Sequence, residues 1–422
     1  MLLAEDKRPT EAQELEIRKA IPSLREDILK VQREYNDIDL ALAIIPPEET
    51  PDAYLIEQFE QLKVRLNKAQ HCLASHTKSI SYGRHVPLEV LELIFRLCLP
   101  DTDYVGPNRL EAPLLLCQIS SAWRGVALAT PLLWCSLSLH LQRRPGAWKD
   151  FLNGWLGRAA QAPLSISFEG LPNQYFDDHI VKVLLKSAKR WRRLRFSIGY
   201  PCMMRLLNTS TPMLEILEIG VRGEGGGTLL PGLYVSSADA PRLRSLTLLG
   251  SLSDPARLQV PWGRLSQFHA AKFPQTPDKC LPFLAMCKNL TQCTIQLSAG
   301  NGLTALQVQN IVPVRLPRLC SLVVIGLIHQ DAVSVFFGKV DLPVLDSLKL
   351  VNMESEPFNI GPQSSVVTLA RKVNLRSLSL SGGMPLEGLF DTVVSIPSLR
   401  EVIIDGGWKI PPSVQEALNM RE

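Results

Sequence analysis

Hydrophobic positions along the chain follow three different periods, and each period predicts a different kind of element. In the first 80 residues the steps alternate between four and three. Leu24, Ile28, Val31, Tyr35, Ile38 and Leu42 form one heptad seam, and Pro22 marks the expected helix start. The run Ile45-Pro46-Pro47-Glu48-Glu49-Thr50-Pro51 interrupts it. A second seam follows at Leu55, Phe59, Leu62, Leu66, Ala69, Leu73, His76 and Ile80. Two matched seams joined by a Pro-rich turn predict an antiparallel helical hairpin over 1–80. Two uses for it stay open: closing on itself to prop the next segment, or pairing with a second copy as a coiled coil.

From 81 to 135 the pattern changes to helices that are apolar on too many sides. HVPLEVLELIFRLCLP has Pro87 at a first-turn position, where its missing N–H costs nothing. Its charges, Glu89, Glu92 and Arg96, make one narrow stripe. After a polar insert, Asp101 to Ala112, the sequence APLLLCQISSAWRGVALATPLLW repeats the imbalance. A surface helix usually buries one stripe and wets the opposite face. About 50 residues enclose too little interior to hide this much apolar surface. Either the rest of the chain covers it or another protein does.

These residues resemble a known family. Val86-Pro87, Ile94-Phe95, Ile119, Trp123-Arg124 and Pro131-Leu132-Leu133-Trp134 look like an F-box of the fungal type, whose insert and "ALATPLLW" ending are similar. The resemblance implies three short helices that dock on a Skp-type adaptor and, through it, on a cullin ubiquitin ligase. Carried over by position, the adaptor-facing residues are Pro87, Ile94, Phe95, Leu115, Ile119, Trp123 and Trp134. The chain departs from the family at Ser120, where Cys is usual, and in the ten or so extra residues of the insert.

Beyond Trp134 the period becomes two, inside a longer repeat. The unit L-x-x-L-x-L appears at Leu214, Leu243, Leu265, Leu290, Leu319, Leu345, Leu375 and Leu399, and more loosely at Trp191. Alternating stretches at Leu137–Leu141 and Leu164–Phe168 extend it backwards. From Ile219 to Ile404 the last apolar positions fall 22 to 30 residues apart, the range of leucine-rich repeats. Each alternating piece predicts a short strand whose parallel neighbours belong to adjacent repeats. Leu281–Cys287, Ala332–Phe337 and Val366–Ala370 predict outer helices, and Ser413–Met420 a terminal one. The predicted class is α/β: a helical hairpin (1–80), a three-helix F-box (81–135) and a leucine-rich-repeat-like solenoid with a parallel sheet (136–422). The Asn that commonly follows the strand is missing from most copies, which predicts irregular connections.

Residues between the buried leucines face the concave side of such a sheet, where partners bind in that architecture. Arg193, Arg195, Gln267, His269, Gln292, Lys349 and Glu401 are the candidates for holding a target protein. Each can equally be a solvated polar position. A basic stretch, Lys182 to Arg205, contains Trp191 and could bind phosphate or RNA, or be a solvated helix around a buried Trp.

Charge and cysteine usage narrow the classes. A formal net charge of +4 over 422 residues is close to neutral and makes nucleic acid an improbable partner. No run of ~18 uncharged apolar residues predicts a membrane span, and the N-terminus has no signal-peptide core. Nine scattered Cys without C-x-x-C or zinc spacing fit a reducing compartment, cytoplasm or nucleus. Cys280, Cys287 and Cys293 read as buried apolar residues rather than metal ligands. Gly223-Glu224-Gly225-Gly226-Gly227 lacks the Lys-Ser/Thr of a P-loop and reads as a loop. There is no G-x-S-x-G or H-E-x-x-H motif. The expected function is substrate recognition in a cullin-type ubiquitin ligase, with no bond chemistry, no cofactor and no metal. The rivals are a scaffold outside the ligase, an enzyme of an unrelated class whose site the fold assembles, and a phosphate-binding or nucleic-acid-binding module over 182–205.

Overall fold

The structure is a computed structural model. It describes residues 10–44, 52–79, 86–141, 146–170, 178–221, 235, 238–249, 258–298, 305–326, 330–352, 364–382, 389–405 and 412–419. The Pro-rich turn after Ile44 and the glycines at 223–227 lie outside these residues. The chain divides into two compact units, Met1–Ile94 and Phe95–Glu422. The break falls at 94/95, whereas the sequence boundaries were set after 80 and 135.

In the first unit, α1 (Glu11–Ile44) and α2 (Ala53–Ser79) are two long helices. Their heptad seams are the less exposed positions, with Val31 and Leu66 buried. Tyr35 near the end of α1 stacks on Phe59 near the start of α2, ring centroids 4.7 Å apart, as antiparallel pairing requires. Helix α1 begins eleven residues before Pro22, so the proline is internal and not a start signal. A reciprocal cap sets the true start. Gln13 N–H donates to Thr10 Oγ1 at 3.4 Å, and Thr10 N–H donates to Gln13 Oε1 at 2.9 Å. Helix α3 (Leu88–Leu97) carries the unit boundary within it.

The second unit continues with α4 (Leu116–Ile119) and α5 (Ser121–Ala129). Ser120, at the position where the F-box pattern has Cys, caps α5 by accepting from Trp123 N–H at 3.1 Å. Then strands and helices alternate: β1 (Ser136–Leu141), α6 (Gly146–Arg158), β2 (Leu164–Gly170), α7 (Asp178–Lys186), β3 (Trp191–Ile198), α8 (Tyr200–Leu207), β4 (Ile216–Val221) and β5 (Ser245–Leu248). They continue with β6 (Gln267–Gln275), α9 (Pro277–Met286), β7 (Gln292–Leu297), α10 (Ala305–Asn310), β8 (Val314–Arg315), β9 (Ser321–Ile325), α11 (Gln330–Lys339) and β10 (Val340–Asp341). The last elements are β11 (Ser347–Val351), α12 (Ser365–Lys372), β12 (Ser377–Ser381), α13 (Leu389–Val394), β13 (Glu401–Asp405) and α14 (Pro412–Asn419).

Eleven strands form one sheet in the order β1-β2-β3-β4-β5-β6-β7-β9-β11-β12-β13, parallel at every pairing. Strands β8 and β10 pair separately. The chain is therefore mixed α/β with a large parallel sheet and no closed barrel among the described residues. Register aligns the predicted leucine positions into two rows. One runs Leu137, Ile166, Leu194, Leu217, Leu246, Phe268, Cys293, Leu322, Leu348, Leu378, Val402, and every member is buried. Residues in between point to the opposite, open face. The copy at Leu265 carries Phe268 and Ala270 in place of leucines. A cluster of Trp262, Phe268 and Phe283, with centroids 5.4–5.5 Å apart, fills that space. Strand β6 is irregular between Ala270 and Pro274.

Candidate interaction surfaces

Two surfaces collect the sequence candidates. The first is the set of exposed apolar residues on the helices before the sheet, in each of the two units. On α3, Leu91 and Phe95, four apart, are buried. Val90, Leu93, Ile94 and Leu97 form a second stripe at i, i+3, i+4 and i+7, and it is exposed; Leu97 is 79% exposed. Pro87 is also exposed, and its carbonyl accepts from Leu91 N–H at 2.9 Å. In the second unit Leu115, Ile119, Leu128 and Leu132 are exposed, while Leu116, Ala127 and Leu133 are buried.

Two of the expected adaptor-facing residues, Phe95 and Trp134, are buried. Phe95 has no exposed surface, and its ring lies 4.9 Å from that of Trp123, which is itself half-buried. Trp134 is 1% exposed. Its indole N–H donates to Ala127 O at 2.8 Å, Trp155 packs edge-on at 4.8 Å, and the Arg158 guanidinium lies over its ring at 4.6 Å. Trp134 is core because it packs on α6 through Trp155 and Arg158, and Phe95 is covered in part by Trp123.

The second surface is the open face of the sheet. Register places Arg195, Glu218, Thr247, His269, Thr294, Val323, Lys349, Ser379 and Ile403 in one row. Arg193, Gln267, Gln292 and Glu401 fall in the neighbouring row. The cations of this face are engaged within the chain. Arg193 pairs with Asp103 at 2.6 Å, Arg195 with Glu218 at 3.5 Å, and Lys349 with Asp405 at 2.6 Å. Lys349 and the Ser381 hydroxyl together hold the Asp405 carboxyl below its ordinary range. Ser377 Oγ donates to Glu401 at 2.9 Å, and Gln267 Nε2 to Gln292 Oε1 at 3.3 Å. Partial burial pushes the His269 imidazole down, against an opposing pull from Glu218, which favours the neutral ring near pH 7.

The insert after α3 reaches this face, which sequence reading did not foresee. Ser138 N–H donates to Val105 O at 2.7 Å, and Val105 N–H to Ser136 Oγ at 3.0 Å. The Tyr104 hydroxyl donates to Glu218 Oε1 at 3.1 Å. An aromatic and a β-branched residue side by side in a polar insert was the available signal. The partner, 114 positions along the chain, was not readable.

The basic stretch resolves into separate tasks. Arg190 donates to the carbonyls of Leu156 and Ala160, closing the end of α6. Arg192 pairs with Glu215 at 2.9 Å. Trp191 has no exposed surface and donates to Ser187 Oγ at 3.0 Å. Cys280, Cys287 and Cys293 are buried, and burial raises each thiol, Cys287 to about 12. Among the described residues no group of three or more His, Cys, Asp or Glu could hold a metal ion. No described helix is long and apolar enough to cross a membrane. A cavity of about 460 Å³ beside α9 has Leu281, Ala285, Ile311 and Val312 on its walls, with Asp278 the one titratable group among the described lining residues. No protein-family model matches the chain, and no curated protein matches it.

Proposed function

We propose that this protein is the target-recognition subunit of a cullin-type ubiquitin ligase, working in the cytoplasm or nucleus. In this reading residues 81–135 are an F-box that docks on a Skp-type adaptor. The strand array from β1 to β13 is a leucine-rich-repeat-like solenoid whose open, concave face holds a target protein. The observation that carries the reading is the exposed apolar stripe of α3; Leu115, just before α4, and Ile119, at its end, are exposed as well. A chain that buries every leucine of its eleven-stranded sheet row has the means to bury these as well. Large apolar side chains left in water at helical spacing fit a second protein laid over them. Pro87, Ile94, Leu115, Ile119 and Trp123 keep the adaptor-facing role. Phe95 and Trp134 shape the helices from inside.

The protein performs no bond chemistry in this reading. It raises the local concentration of a target beside a ubiquitin-loaded enzyme. The phosphate-binding alternative is weakened by the intramolecular partners of Arg190, Arg192, Arg193 and Arg195.

The test is Ile94→Asp combined with Ile119→Asp in the full chain. Co-purification with a recombinant Skp-type adaptor is expected to be lost, while the thermal unfolding of the sheet unit stays within error of the native chain. Retained adaptor binding would overturn the docking assignment. Adaptor bound without a cullin would instead make the protein a scaffold outside the ligase.

A further inference from the structure

Residues 103–105 lie on the open face of this chain's own sheet as a separate polypeptide would. Val105 makes both of its backbone bonds beside β1, one to Ser138 N–H and one to Ser136 Oγ, and its side chain is buried. From that anchor Asp103 reaches Arg193 on β3, and Tyr104 reaches Glu218 on β4. A backbone N–H and C=O held at the sheet edge, with the consecutive side chains of Asp103, Tyr104 and Val105 taken up by the rest of the chain, is how a docked peptide segment is held.

We propose that Arg193, Arg195 and Glu218 form a peptide subsite, which Asp103-Tyr104-Val105 fills as an internal ligand. Its external ligand would be an extended segment carrying a carboxylate residue followed by an unphosphorylated tyrosine. This rests on the reading of the open face as the partner-binding face, and it names the chemistry of the partner.

Each group in the subsite selects something definite. Arg193 donates to a carboxylate; the pair it makes with Asp103 leaves both side chains partly in solvent. Glu218 is mostly buried, and Arg195 lies 3.5 Å from its other oxygen. With Arg195 on one oxygen, the other is left as an acceptor, so the incoming group must be a donor. A neutral phenol satisfies this. Burial and the carboxylates of Glu218 and Asp103 raise the Tyr104 hydroxyl well above the ordinary phenol, which keeps its proton in place. A phosphotyrosine would bring two negative charges against Glu218 and offer no donor, so phosphorylation excludes a ligand from this subsite. The internal contacts are few and partly solvated, and a polypeptide in trans can displace them. The tether gives the insert an effective concentration in the millimolar range, which an external segment must overcome.

The experiment uses a fluorescein-labelled peptide with the sequence of residues 101–108 and the full chain in two versions, native and Asp103→Ala/Tyr104→Ala. Fluorescence anisotropy is expected to show the variant binding the peptide at least about tenfold tighter than the native chain, because the internal competitor is gone. The tyrosine-phosphorylated peptide is expected to bind the variant roughly tenfold or more weakly than the plain one. Arg193→Glu added to the variant should abolish binding. If the double alanine variant melts early, Asp103→Asn/Tyr104→Phe removes the charge and the hydroxyl at nearly constant volume and is measured instead. A folded variant that binds no better than the native chain, or that takes both peptides equally, overturns the proposal. Adaptor co-purification from the same samples reports on the docking helices, which use neither Arg193 nor Glu218, so the two failures are distinguishable.

Discussion

The sheet and the helices that precede it treat leucine in opposite ways. Along the row from Leu137 to Val402 every apolar residue is buried. From Leu88 to Leu132 apolar residues are divided between core and solvent, sometimes within one turn: Ile94 is 38% exposed and its neighbour Phe95 not at all. The difference lies in what completes each element. An inner strand of the array has a strand of the same chain on either side, and the edge strands β1 and β13 have one, so stacking covers the inner row without outside help. A short helix covers only the side it turns to its own chain. The other side remains for something else or for water. The same residue type therefore measures stability in one region and association in the other, and substitutions should separate the two.

The largest effect is expected at Trp134, where the two regions meet. Replacing it with alanine removes the hydrogen bond to Ala127 O, the edge contact with Trp155 and the stacking surface for Arg158. Emptying a buried tryptophan site costs about 3–5 kcal/mol. Urea unfolding of Trp134→Ala should show the midpoint falling accordingly. An unchanged midpoint with adaptor binding lost would restore Trp134 to the docking surface and erase the distinction drawn between the regions.

How much of this division could be read in the sequence follows from the periods. Alternation by two leaves one choice of inner face, and L-x-x-L-x-L fixes it, so the buried rows were legible down to Phe268 and Cys293. The helix Leu88–Leu97 is apolar everywhere except at Glu89, Glu92 and Arg96. Periodicity alone could not tell the Leu91–Phe95 stripe from the Leu93–Leu97 one, and the F-box pattern assigned both members of Ile94-Phe95 to the partner. The charged open face was legible as a face. Its neutralisation by Asp103 was not, because that contact joins residues 90 positions apart through an insert without periodicity. Pro22 misled because a proline inside a long helix and one at its start look alike until the Thr10 cap is seen.

A middle-sized effect is expected at Gly382, just past β12. Its φ is +88°, and a Cβ added there would fall on the backbone of Asn352 in the preceding repeat. Backbone strain of this kind costs about 1–3 kcal/mol, and the contact leaves no flexible side chain to yield. Gly382→Ala should lower the melting temperature of the sheet unit without changing adaptor co-purification. Equal loss of both would mean that the helices and the far strands unfold as one, and that adaptor binding reports folding.

The smallest effect on stability is expected where the exposed leucines are. Leu97 and Leu132 are 79% and 44% exposed, so Leu97→Ser and Leu132→Ser remove little that folding had buried. Surface substitutions of this sort stay within about ±0.5 kcal/mol, and the paired variant should unfold at the native urea concentration. What it should change is behaviour without a partner. Less apolar surface in water should reduce self-association, read as a lower sedimentation-average mass at high protein concentration. A clear loss of stability would show that these side chains are held by their own chain, and the contrast between a self-sufficient sheet and helices awaiting a cover would fail at its weakest point.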